Sequence, residues 1–142
     1  MDKRAVLLGE LLGEHCSDAL RSGRLKVIGL TEQGGIPSVQ LSSDRLLMSA
    51  SMHHGEFEVL VYPQEFEGLK PLSLALVVGA LSGSVPHPGD ESGQLDGLAE
   101  HLEEIESWAR SVETWTELQA AAEEARLSYP RRRSATKDRG GA

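Results

Sequence analysis

The sequence predicts an α+β domain, a two-layer sandwich in which a four-stranded antiparallel meander is preceded by one helix and followed by two or three helices. Three observations predict it. Short runs between residues 25 and 62 alternate apolar and polar side chains, brief turn-rich segments separate them, and the flanking stretches repeat apolar residues every three or four positions. Alternation means a sheet buried on one face only, and short connections make neighbouring strands antiparallel.

Residues 4–22 read as the first helix. Leu8, Leu12, His15 or Cys16, and Ala19 fall on one stripe, while Glu10, Glu14 and Asp18 fall on another. The tetrapeptide Leu-Leu-Gly-Glu occurs at 7–10 and again at 11–14. Gly9, Gly13 and Ser17 form a ridge of small residues four apart, expected to let another element approach closely. Gly23 is placed to end the helix.

The strand signals are 25–31, 37–42, 46–52 and 56–62. Val39, Leu41, Met48, Ala50, Phe57, Val59 and Val61 are expected on the buried face, and Ser38, Gln40, Ser49, Glu56 and Glu58 on the polar one. Glu32-Gln33-Gly34-Gly35, Ser43-Asp44 and His53-His54-Gly55 supply the turns. Residues 71–82 are apolar on nearly every side. Pro71 suits a first helical position and Ser82-Gly83 an end, so a buried helix is expected, with a fifth, central strand as the alternative.

Beyond a Pro- and Gly-bearing linker at 84–93, a long acidic helix is expected. Leu95, Leu98, Leu102, Ile105, Ala109 and Val112 follow a heptad-like spacing, which then slips to Trp115, Leu118, Ala122 and Ala125. Thr114 and Glu117 match a capping box, so the segment 95–127 is one helix kinked near 113 or two helices. Residues 1–129 form the expected single domain, and 130–142 are expected to be a disordered basic tail.

Hydrophobic residues are 39% and charged ones 25% of the 142 residues, near the globular average. The net charge of −8 is uneven: −3 over 1–88, −10 over 89–125 and +5 over 126–142. Cys16 is the sole cysteine, which excludes an internal disulfide. No segment reads as a signal peptide or membrane span, so a cytoplasmic location is expected. The chain lacks asparagine and has ten arginines to four lysines, a pattern that GC-rich bacterial, phage or plasmid genes tend to give.

No residue set carries a catalytic signature, and no cofactor is expected. His53 and His54 are the weak metal candidates, but neighbours on a strand point to opposite faces and no ligand spacing surrounds them. His15 and Cys16 are adjacent on a helix, about 100° apart, a poor geometry for nucleophile and base.

Leu98, Leu102, Ile105, Trp108, Val112 and Trp115 form the stripe best suited to a partner, with the tryptophans at anchor spacing, although a lone stripe more often faces its own core. Arg131, Arg132 and Arg133 could touch nucleic acid only through phosphates. The leading expectation is therefore a non-enzymatic, protein-binding or oligomerising accessory protein. The alternatives are a regulator that associates with nucleic acid through its tail, and a small ligand-binding domain or enzyme using the polar sheet face near His53, His54 and Glu58.

Overall fold

The computed structural model describes residues 3–33, 35–53, 56–66, 68–86 and 90–141. Its elements run α1 (Lys3–His15), α2 (Ser17–Ser22), β1 (Lys26–Gln33), β2 (Ile36–Ser42), β3 (Leu46–His53), β4 (Glu56–Pro63), β5 (Leu72–Ser73), α3 (Leu74–Ser82), α4 (Glu91–Trp108) and α5 (Val112–Gly141). The strands form one antiparallel meander in sequence order, β1-β2-β3-β4-β5. The α+β two-layer arrangement is as the pattern indicates, with a short fifth strand added.

Alternation sets the sheet's polarity. Val39 pairs with Ala50, Leu41 with Met48, Ala50 with Val59 and Met52 with Phe57, and these side chains are buried. Helices pack over this face, α1 on β2 and β3 and α3 on β4 and β5, with α4 between α1 and α3 and α5 against α3 and β5. The helix reading of 71–82 holds from Leu74 onward, and the fifth strand is two residues long and lies at the sheet's edge, not at its centre. Leu72 and Ser73 pair with Val61 and Leu60, and the helix begins at the next residue. Gly83, at φ 84°, ends that helix in the left-handed region.

The first helical segment is divided. Cys16 leaves helical geometry (φ −121°, ψ 25°) and separates α1 from α2. Leu8, Leu12, Cys16 and Ala19 nevertheless remain on the buried side. The glycine ridge is corrected: a β-carbon at Gly9 or Gly13 would meet nothing within 4 Å, so these positions face open space. Close approach occurs elsewhere. A β-carbon on Gly97 would lie 2.6 Å from Val78 Cγ2, and one on Gly79 would overlap Val85 Cγ2.

Residues 95–127 form two helices. Asp90 caps α4 by accepting from the Gly93 N–H (2.9 Å), and the break falls at Ala109–Ser111. The cap of α5 is Ser111, whose Oγ accepts from the Thr114 N–H at 3.1 Å. Thr114 Oγ1 also donates to the Trp108 carbonyl (2.7 Å), closing the end of α4. The cap thus sits three residues before the Thr114–Glu117 pair. The α5 backbone continues through Pro130 to Gly141, where the composition suggests an unstructured tail. Arginine, alanine and lysine at 131–139 are good helix formers that can extend an existing helix, although Pro130 removes one donor.

Candidate functional site

The acidic stripe is occupied by the domain's own core. Leu98, Leu102, Ile105 and Trp115 are buried, Trp108 is half-buried against the same core, and Val112 is exposed. Truncating a buried leucine of this kind typically costs about 2–5 kcal/mol of stability. The first three and Trp115 are therefore unavailable to a partner unless the fold opens. The Trp115 indole N–H has no acceptor among the described residues, so packing holds the ring in place.

The other candidates fall as follows. His54 lies outside the described residues, and so do the side chains of His53, Arg131, Arg132 and Arg133. Among the described residues, no group of three or more histidines, cysteines or carboxylates could hold a metal ion. No described helix is long and apolar enough to cross a membrane. Cys16 is buried, and its thiol lies 3.7 Å from the Leu95 carbonyl that it donates to. Loss of water, reinforced by the Asp96 carboxylate, pushes its pKa up to about 11, which leaves it an unreactive thiol near neutral pH.

The polar sheet face is a self-satisfied hydroxyl and amide network. Ser38 and Ser49 hydroxyls meet at 2.8 Å, and Gln40 Nε2 donates to Ser38 Oγ (3.0 Å) and Ser49 Oγ (3.3 Å). It has the character of cross-strand pairing that stabilises a solvated face.

One constellation escaped the sequence pattern because its members are about 80 residues apart. With its proton on Nδ1, His15 donates to Asp96 Oδ1 (2.9 Å) while Nε2 accepts from the Ser92 hydroxyl (3.2 Å). That is the hydrogen-bond order of a nucleophile, base and orienting acid. The surroundings oppose such chemistry. Asp96 is 65% exposed, and Ser92 is also open to solvent. The Gly93 N–H that could polarise an oxyanion is already donated to Asp90. The three residues tie α1 to α4.

One exposed feature that the core leaves unexplained is β1. It is an edge strand, paired among the described residues with β2 alone. Val27 pairs with Leu41 and Leu30 with Val39, which puts both on the helix-covered face. The helical layer stops over β2 and β3, leaving Val27 56%, Ile28 57% and Leu30 53% exposed. A register shift between Val27 and Gly29 bends the strand there. Adjacent Val27 and Ile28, which interrupt strict alternation, were the one sequence sign of that bulge.

The chain matches no known family model, no curated protein and no solved structure.

Proposed function

We propose that this chain is a non-enzymatic protein-interaction domain that associates with a second copy of itself through β1. The observation that carries this reading is the exposure of three large apolar side chains on an unpaired edge, where backbone groups can also accept a strand. The strand's charge pattern favours an antiparallel copy over a parallel one: parallel in-register copies would set Lys26 against Lys26 and Glu32 against Glu32, and an antiparallel ladder centred on Thr31 avoids both.

The bulge confines a regular ladder to the Gly29–Gln33 half, with Val27 and Ile28 adding apolar contact. Covering a half-exposed aliphatic side chain contributes on the order of 1 kcal/mol. Six such side chains in a dimer barely exceed the lower end of the roughly 4–15 kcal/mol that association costs. Those two quantities alone leave only about −2 kcal/mol; about four ladder hydrogen bonds, at roughly 1 kcal/mol each, bring the total to about −6 kcal/mol, so the expected dimer is weak, with a Kd on the order of 10–100 μM.

Amide hydrogen exchange at two protein concentrations tests this surface. The amides of Gly29–Gln33 should gain protection well above that Kd and lose it on dilution, while those of β3 stay unchanged. Protection of Gly29–Gln33 that does not vary with concentration rules the reading out.

A further inference from the structure

Glu32 of β1 stands opposite Pro37 of β2, and Leu30, two residues earlier, stands opposite Val39. Pro37 and Val39 are buried, so Leu30 and Glu32 share the face of the sheet that the helices cover further in. Lys26, opposite Ser42, belongs to the other face. Glu32 is thus a carboxylate turned inward on an edge strand, one of the devices by which edge strands resist pairing. It is exposed, and the ion pairs formed among the described residues involve other carboxylates. The remaining residues that β1 and β2 turn to that face beside it, Val27, Leu30, Pro37, Val39 and Leu41, are apolar, so no cation on either strand offsets its charge there.

In an antiparallel ladder centred on Thr31, that residue faces its own counterpart, and Leu30 of each molecule faces Glu32 of the other. Each carboxylate then gives up part of its water to a leucine. The two carboxylates also become diagonal neighbours, about 7–8 Å apart along the ladder. Loss of water and like charge both penalise the ionised form, and neither penalises the protonated one. We propose, resting on the reading of β1 as a self-pairing edge, that Glu32 gates this contact: ionised, it keeps self-association weak, and protonated, it lets the ladder tighten. The regulator is therefore the proton, acting on one named residue at the centre of the interface.

Sedimentation equilibrium at about pH 7 and about pH 4 tests the gate on three full-length proteins, the wild type, E32Q and E113Q. Glu113 lies on α5, which packs against α3 and β5 at the far end of the sheet, so E113Q removes the same charge without touching β1. Circular dichroism verifies that each protein is folded under both conditions. Near neutral pH, E32Q should dimerise about threefold to tenfold more tightly than the wild type, as for partly exposed like charges, and E113Q should stay within about twofold of it. Acidification should tighten the wild type and E113Q more than E32Q, by much of that factor, because glutamine has no proton to gain. Comparison among the three cancels the general fall in net charge. An E32Q protein that dimerises no more tightly than E113Q near neutral pH, or that gains as much on acidification as the wild type, overturns the gate and leaves the β1 contact standing. Wild type and E32Q that both stay monomeric under both conditions would instead remove the β1 contact itself, and the gate with it.

Discussion

Gly97 of α4 lies directly against Val78 of α3, so close that a β-carbon on the glycine would stand 2.6 Å from one valine methyl and 2.8 Å from the other. The approach of these two helices depends on the absence of a side chain at 97. Gly97→Ala should therefore destabilise the protein by about 1–3 kcal/mol, the usual cost of overpacking. Urea unfolding checks the value, and the double variant with Val78→Ala should recover part of the loss by making room.

Gly9 and Gly13 should behave in the opposite way. Both lie inside α1, and a methyl group on either meets open space. Alanine at each position should stabilise the protein by up to about 1 kcal/mol through helix propensity alone. Thermal unfolding of the two single variants and their combination is the test; a loss of stability at either site would mean that α1 packs differently.

Sequence alone separates these two classes of glycine poorly, and the reason is physical. Periodicity reports which side chains share a helix face, but what that face touches is decided by tertiary packing. The same limit governs the acidic stripe: the spacing of Leu98, Leu102 and Ile105 is a sound reading of a face, and that face turns out to be core. Strands β2, β3 and β4 were legible because a half-buried sheet repeats every two residues, as the alternating burial of β2 and β4 shows. The division at Cys16 was not, since no glycine or proline marks it. The His15–Ser92–Asp96 cluster and the exposure of β1 depend on contacts between distant segments, which local patterns do not record.

The junction between α4 and α5 rests on Ser111, whose hydroxyl caps one helix while Thr114 closes the other. Ser111→Ala should cost about 1 kcal/mol, the usual value of a lost cap, and Glu117→Ala distinctly less. Chemical unfolding of both variants checks the order. A larger loss at Glu117 would restore Thr114 as the cap.

Cys16 has a pKa raised to about 11 by burial, above its ordinary value of 9.0. A raised folded-state pKa favours the protonated thiol in the fold, so this contribution is fully present below pH 9 and is lost as pH rises toward 11. The wild type should therefore lose on the order of 2–3 kcal/mol more stability than Cys16→Ala across that window. At neutral pH, iodoacetamide should label the thiol only after denaturant is added. Rapid labelling of the native protein would contradict the burial.

If the Ser92–His15–Asp96 cluster is a clamp and not an active site, Ser92→Ala should leave any hydrolysis of p-nitrophenyl acetate unchanged. Asp96→Asn should lower stability by no more than about 1 kcal/mol, as expected for an exposed pair. A burst of nitrophenol that disappears in the Ser92 variant would make the cluster catalytic after all.

Sedimentation equilibrium tests the central claim about β1 most directly, comparing the wild type with a V27T/I28T/L30T variant over about 5–500 μM, a range spanning the Kd expected from the strand's apolar area and ladder hydrogen bonds together. Threonine keeps strand propensity while removing apolar surface. The wild-type mass should rise from 15.3 kDa toward twice that value with concentration, and the variant should stay at 15.3 kDa throughout. A wild type that remains at 15.3 kDa across the range, or a variant that associates as readily, contradicts the assignment of β1 as the contact surface.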